Sequence, residues 1–178
     1  METIIRAAVA EDVTPILELV NGYAAQNIML PRTPEQIQRV LPWFLVAECE
    51  GRLVGCGSLV ALTPQLVELR SLAVAPSHRG TGLGRRMVEV LVANARESGY
   101  EQICALTLNE PFFNHLGFPT VDRWTLSPKI WHECIYCPKF DACDEIAVLM
   151  NLVEPEAVPS VRWMSPLQAG WKPNLGQA

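Results

Sequence analysis

The chain has 178 residues, the usual size of one domain and enough to bury a hydrophobic core without disulfides or structural metal. Hydrophobic residues make up 49% of the chain and charged residues 19%, a composition that excludes a disordered protein. The net charge of −5 argues against a general affinity for nucleic acid or for an anionic membrane.

The sequence also lacks the marks of a membrane or secreted protein. No stretch reaches the roughly 18 consecutive apolar residues of a spanning helix. Residues 1–6 lack the basic-then-apolar layout of a signal peptide. We therefore expect a cytoplasmic protein without nucleic-acid or membrane partners, whose six cysteines are reduced thiols.

Apolar spacing and turn residues predict a mixed α/β domain over residues 1–152. In chain order, the predicted elements are a strand at 3–7, helices at 12–23 and 34–40, strands at 43–48, 53–62 and 66–74, a helix at 85–98, a strand at 103–108, a helix at 111–116, a strand starting at Gly117 and a strand at 144–152. Three consecutive strands joined by short turns indicate an antiparallel meander. We expect a mixed, mostly antiparallel central sheet flanked by helices.

Residues 153–178 form a separate C-terminal tail in this interpretation. The tail contains prolines and two tryptophans, Trp163 and Trp171, but no apolar period. Two interpretations stay open, an ordered segment that wraps the domain and a flexible end. The tryptophans could anchor the tail on its own domain or on a second subunit, so a homodimer is one alternative.

The most informative segment runs from a predicted strand through a glycine-rich loop into a predicted helix. Gly80, Gly82 and Gly84 alternate, so no Cβ atom keeps an anionic ligand away from the backbone. The free N–H groups and the dipole of the helix's first turn favour such a ligand. Three arginines add positive charge: Arg79, Arg85 and Arg86. The segment predicts a phosphate cradle, although it matches neither a P-loop nor G-x-G-x-x-G.

This segment resembles the GNAT superfamily of acetyl-CoA-dependent N-acetyltransferases. The family signature is Arg/Gln-x-x-Gly-x-Gly/Ala after a strand that ends in a Leu-Ala-Val-like triplet, and residues 72–74 and 79–84 match it. Residues 112–118 resemble the family's helix–Gly-Phe–strand segment. The resemblance implies a GNAT-like fold and acetyl-CoA as cosubstrate. It implies the following cofactor-binding residues: Leu72, Ala73, Val74, Arg79, Gly80, Thr81, Gly82, Leu83, Gly84 and Arg85.

Within the superfamily, the chain resembles short single-domain bacterial N-acetylglutamate synthases. The resemblance rests on residues 68–74, 105–107, 112–118 and 129–145. It implies transfer of acetyl to the α-amine of an amino acid, with glutamate as the first choice and arginine biosynthesis as the setting. The alternatives are another small amine as acceptor, and a non-catalytic acetyl-CoA-binding sensor.

The family resemblance places the general base at Glu68. Arg70 follows two residues later, on the same face of a regular strand, where its guanidinium could bind a substrate carboxylate with two parallel hydrogen bonds. By the same face count, Leu72 shares that side, unless a bulge interrupts the strand. Lys129 is the second expected ligand of the acceptor's carboxylates. An ordinary ion pair between Glu68 and Arg70 is the alternative.

The chain lacks the residue that, in many family members, acts as the acid that protonates the CoA thiolate. Many members carry a tyrosine before the Gly-Phe pair, where this chain has Phe113. Tyr136 and His115 are the alternatives that the sequence offers.

A cysteine cluster follows Lys129 in the chain. It consists of Cys134, Cys137 and Cys143, with His132 just before them. The first spacing is that of a zinc knuckle, and thiolate with imidazole suits zinc, but a second C-x-x-C pair is missing. A structural zinc site and free thiols near the amino-acid site both stay open.

Overall fold

The structure is a computed structural model that describes residues 2–153, so the predicted roles of Trp163 and Trp171 lie outside the described residues. Within that range, six strands form one sheet: β1 (Thr3–Ala7), β2 (Phe44–Cys49), β3 (Arg52–Ala61), β4 (Leu66–Val74), β5 (Gln102–Thr107) and β6 (Ile146–Asn151). The α-helices are α1 (Val13–Ala24), α2 (Pro34–Arg39), α3 (Leu83–Glu97), α4 (Glu110–Asn114) and α5 (Ser127–His132). Single 3₁₀ turns occupy Ala10–Asp12, Leu41–Trp43, Pro76–His78, Arg123–Leu126, Cys134–Tyr136 and Phe140–Ala142.

The strands lie in the order in which they occur in the chain, from β1 to β6. Every neighbouring pair is antiparallel except β4 and β5, which are parallel because the crossover helix α3 separates them. The predicted mixed, mostly antiparallel sheet flanked by helices is confirmed.

Helices cover both faces of the sheet. The apolar side of α3, with Val88 and Leu91, packs on Val67 and Leu69 of β4. On the opposite face, α1 and α2 pack on Phe44, Val46, Cys56 and Ala73. None of the helices in residues 2–153 is long and apolar enough to cross a bilayer.

The parallel pair β4–β5 opens partway along its length. The two strands pair only from Leu66 with Gln102 to Glu68 with Cys104. Both then continue without pairing to each other, β4 to Val74 and β5 to Thr107. Glu68 is therefore at the point where the sheet splits, and residues beyond it on both strands line a cleft.

A bulge interrupts β4 just after Arg70. The register with β3 shifts between Cys56 and Ser58, and Ser71 adopts a left-handed conformation with φ of +51°. Glu68 and Arg70 keep a common face because they precede the bulge. Leu72 does not share it, since its side chain packs with the α3 side of the sheet. The face count for Leu72 is therefore wrong.

The strand expected from Gly117 is also wrong. Gly117 has φ of +85°, and the N–H of Phe118 donates to the carbonyl of Phe113 at 3.1 Å, which closes the end of α4. Beyond this turn, pairing with β6 is a single bridge between Thr120 and Val148. Helix α5 was not expected, because its six residues are too few for an apolar period.

Candidate active site

A cleft of about 1360 Å³ extends from the glycine loop to the split between β4 and β5. Its walls also include the loop before α2 and the segment from Arg123 to Glu145. Nine of the ten residues expected to bind acetyl-CoA line the cleft. The tenth, Thr81, lies outside the lining and donates its hydroxyl to the carbonyl of His78 at 2.7 Å.

The start of α3 has the form of an anion site. Its first helical hydrogen bond runs from the N–H of Arg86 to the carbonyl of Gly82 at 3.1 Å, so the N–H groups of the preceding three residues have no acceptor within the helix. Gly80 and Gly82 have φ of +75° and +82°, and a Cβ at either would meet no protein atom within 4 Å. The backbone is therefore open to a phosphate-bearing ligand such as CoA.

The three arginines near the loop have separate contacts. Arg79 donates from Nε to the hydroxyl of Tyr23 at 3.1 Å, and its guanidinium lies 4.9 Å from the ring centroid. Arg85 pairs with Glu89 at 2.8 Å. Arg86 points away and donates to the carbonyl of Thr3 at 3.2 Å, so the expected contribution of Arg86 to the cradle is wrong.

Tyr23, the last residue of the helix expected at 12–23, is a site residue that the sequence did not indicate. Its hydroxyl donates to the carbonyl of Val74, the last residue of β4, and also accepts from Arg79. One aromatic side chain thus connects α1, the end of β4 and the glycine loop.

Glu68, Arg70, Glu133 and Lys129 form a closed ring of alternating charges, called the charge ring below. Arg70 Nε donates to Glu68 Oε2, and Arg70 Nη2 lies 2.5 Å from Glu133 Oε1. Lys129 Nζ completes the ring, 2.5 Å from Glu133 Oε2 and 3.0 Å from Glu68 Oε1. Both cations expected to bind substrate are therefore paired with carboxylates of the protein itself.

Because the side chains of the charge ring are largely buried, each charge acts strongly on its neighbours in the ring. The side chain of Glu68 is 5% exposed and that of Lys129 9% exposed. Burial acts to raise the pKa of Glu133, but the hydrogen bond from Lys129 and the charges of Lys129 and Arg70 outweigh it, so this pKa is lowered. Burial acts to lower the pKa of Arg70, and the charges of Glu68 and Glu133 reverse that direction.

One donor of the charge ring has no hydrogen bond. Arg70 Nη2 is within ion-pair distance of Glu133, but the contact lacks hydrogen-bond geometry, and this buried atom has no other acceptor in residues 2–153. Glu133 therefore neutralises this nitrogen by a close ion pair without satisfying it as a hydrogen-bond donor.

Three further charged residues of the cleft were missed by the sequence analysis. Arg32, Arg123 and Glu145 are partly buried, line the cleft and have no ion-pair partner among the described residues. Burial and the charge of Arg70 lower the pKa of Arg32. Burial raises the pKa of Glu145, against an opposing effect of Lys129. In the sequence, each is an ordinary charge in a polar segment. Only the structure marks it as a candidate site residue, because it lines the cleft without an ion-pair partner.

The groups considered for thiolate protonation occupy different places. Phe113 is buried and packs edge-on against Phe112 and Phe118, with ring centroids 5.2 and 5.4 Å apart. Tyr136 is exposed at the cleft. His115 does not line the cleft, and its Nδ1 is 2.6 Å from the carbonyl of Pro111.

The three clustered cysteines are partly buried free thiols in the cleft wall: Cys134, Cys137 and Cys143. His132 is exposed. In residues 2–153, no group of three or more His, Cys, Asp or Glu side chains is arranged to hold a metal ion.

Comparisons with known proteins agree with this geometry. The acetyltransferase (GNAT) domain family matches residues 42–120. An uncharacterized N-acetyltransferase of Chlorobaculum tepidum is 38% identical over 151 residues, which cover 85% of this chain and 97% of the relative. An amino-acid acetyltransferase of Mycobacterium tuberculosis is 29% identical over 164 residues, covering 90% and 92%.

A solved structure gives the same fold. The N-acetylglutamate synthase of Neisseria gonorrhoeae, complexed with coenzyme A and N-acetyl-glutamate, superposes with a TM-score of 0.75 at 23% identity. The match covers 86% of this chain and 36% of that one. The fold, the glycine loop at the start of α3 and the sequence relatives together show that the chain belongs to the GNAT family of acetyl-CoA-dependent N-acetyltransferases.

Proposed function

We propose that the protein transfers the acetyl group of acetyl-CoA to the α-amine of glutamate, the reaction that makes N-acetylglutamate for arginine biosynthesis. The observation that carries the proposal is the distribution of charge in the cleft. Beside the charge ring is Arg32, a partly buried cation that has no ion-pair partner in residues 2–153, and within the ring Arg70 Nη2 contacts Glu133 without hydrogen-bond geometry. Two such donors suit an acceptor with two carboxylates.

The proposal assigns the acceptor's carboxylates to Arg32 and Arg70. Lys129 was expected to share this role. Lys129 and Arg70 both contact Glu68 and Glu133, but Lys129 Nζ has a hydrogen bond to Glu133, whereas Arg70 Nη2 has none. The role of Lys129 in the proposal is to hold Glu68 in place. A neutral amino acid would leave one guanidinium unpaired in a half-closed site, which disfavours it as a substrate.

Glu68 is the base of the proposed reaction. The amine nitrogen attacks the thioester carbon, a C–N bond forms, and the C–S bond breaks to release CoA. Glu68 takes the proton that the nitrogen loses as it becomes an amide nitrogen, directly or through a water, and passes it to the CoA sulfur. The position of Glu68 at the split between β4 and β5 supports this role.

The acceptor is tested by comparing kcat/KM for glutamate, glutamine, aspartate and leucine, with CoA release followed as free thiol. Glutamate is expected to be the best substrate, and glutamine a partial substitute that keeps the shape but loses one charge. Arg32→Ala is expected to raise the KM for glutamate by about 10- to 100-fold, as for a lost charged hydrogen bond, with little change in the KM for acetyl-CoA.

The matched control is Arg52→Ala, an exposed arginine outside the cleft, which should leave both KM values unchanged. If leucine or a polyamine is the best substrate, the glutamate assignment is wrong. If Arg32→Ala affects glutamate and leucine equally, Arg32 does not recognise the second carboxylate.

A further inference from the structure

Glu145 is a third carboxylate of the cleft and takes no part in the charge ring. It directly precedes β6, whose first residue, Ile146, pairs with Thr107 at the end of β5. Thr107 and Glu145 both line the cleft. Glu145 is thus on the β5 side of the split, whereas Glu68 is on the β4 side.

Glu145 has cations in its surroundings but none at ion-pair distance among the described residues. It is partly buried, and among residues 2–153 it has no ion-pair partner within 4.0 Å. Its exposed neighbour Asp144 does have one, Lys139 at 3.8 Å, and does not line the cleft. Burial raises the pKa of Glu145; the charges of Lys129 and Lys139 oppose this shift, and those of Glu68 and Asp144 add to it. A raised pKa makes the ionised carboxylate a better proton acceptor.

The acceptor nitrogen loses two protons over one turnover. An amino acid enters with its α-amine protonated, and this ammonium must lose one proton before its nitrogen can attack. The same nitrogen loses a second proton when the amide forms. The second proton goes to the CoA sulfur, and the first must leave to solvent.

We propose that Glu145 binds the acceptor's α-ammonium group and takes its first proton, which releases the neutral amine to attack the thioester. This inference rests on the proposed function only in that the acceptor is an amino acid. In the proposed reaction Glu68 takes the second proton, and Arg70 and Lys129 contact both of its oxygens, so a separate carboxylate for the first proton lets each base act once per turnover. Glu145 loses its proton to solvent before the next turnover.

The test uses the full chain and the amino acid that the wild-type protein acetylates fastest. Glu145→Gln is expected to lower kcat/KM by about 100-fold at neutral pH. The ratio of wild-type to Glu145→Gln kcat/KM should fall at least about tenfold between about pH 7 and about pH 10, because at high pH much of the free amino acid already has a neutral amine. Asp144→Asn, the matched control, should stay within about twofold of wild type at every pH.

Two measurements separate this role from a structural one. Glu145→Gln should keep its affinity for acetyl-CoA and lose no thermal stability. Glu145→Asp retains a carboxylate and should keep the pH dependence of the wild type even if kcat/KM falls. The proposal is overturned if the Glu145→Gln profile runs parallel to that of wild type, or if Glu145→Asp behaves like Glu145→Gln.

The amino-acid preference of the wild-type protein distinguishes failure of the glutamate assignment from failure of the role proposed for Glu145. A wild type that prefers another amino acid overturns the glutamate assignment alone, and the Glu145 comparison proceeds with that substrate. A wild type that acetylates no amino acid overturns both.

Discussion

Removing Arg70 tests whether the charge ring acts as one electrostatic unit. In Arg70→Ala, two carboxylates, Glu68 and Glu133, share the single ammonium of Lys129. Breaking a buried ion pair from one side costs about 3 to 5 kcal/mol. The Glu133 side chain is 38% exposed and water can solvate it, so the lower figure applies, about 3 kcal/mol.

Neutralising Glu133 in the same variant should restore part of this loss. Arg70→Ala/Glu133→Gln leaves one ammonium for one carboxylate, and we expect a favourable coupling free energy of about 1 to 2 kcal/mol relative to the two single variants. Urea unfolding of the four proteins measures this cycle. For a domain of this size, a loss of about 3 kcal/mol also lowers the melting temperature by roughly 6 to 12 °C.

The pH dependence of the cycle has a definite sign. The folded-state pKa of Glu133 is lowered, so its contribution to stability is present above the ordinary glutamate range and is lost as the pH falls through the folded value. The deficit of Arg70→Ala should therefore shrink below about pH 4. A cost under about 1 kcal/mol at neutral pH, or single-variant effects that add within about 0.5 kcal/mol, would refute a coupled ring.

Two further predictions concern the base and the glycine loop. Glu68→Gln should keep acetyl-CoA binding but lower turnover by about 100- to 10,000-fold; a non-catalytic sensor would show no turnover even in wild type. Gly82→Ala should lower the free energy of unfolding by about 1 to 2 kcal/mol, because Gly82 has φ of +82°, and should weaken acetyl-CoA binding. The control is Gly84→Ala, because Gly84 does not have a positive φ; this change should stabilise the helix by about 0.5 to 1 kcal/mol. Thermal unfolding measures stability and calorimetric titration measures acetyl-CoA binding. Equal effects of the two substitutions in both measurements would contradict the prediction.

Local sequence patterns were sufficient for most elements and for the glycine loop that begins α3. Strand and helix periods, and the glycines before α3, act over a few residues, so they are visible in the sequence. The turn at Gly117 does not follow from its local pattern. A Gly-Phe pair followed, after Pro119, by β-branched Thr120 and Val121 suits a strand, but Phe118 is fully buried in the core and the chain turns there instead.

The charge ring could not be found from local patterns, because it joins β4 to α5 across more than fifty residues of sequence. The sequence identified Glu68, Arg70 and Lys129 separately, but their pairing depends on how the segment after Arg123 packs over the split in the sheet. Glu133 completes the ring and had no signal beyond its spacing of four residues from Lys129. Arg32 and Glu145 can be recognised as candidate site residues only after the ion-pair partners of the other charges in the cleft are known.

Phe113 cannot protonate the CoA thiolate, but catalysis does not require it to, because another group can supply that proton. A tyrosine hydroxyl there would protonate the leaving thiolate, and Phe113 packs in the core without a hydroxyl group. A thiol has a pKa near 8.5, roughly four units above that of a carboxylic acid, so a carboxyl group that has just gained a proton can give it to the thiolate. In the proposed reaction Glu68 gains that proton from the nitrogen in the same turnover. The second carboxylate, Glu145, then accounts for the first proton of the ammonium, and the cleft needs no tyrosine to complete the transfer.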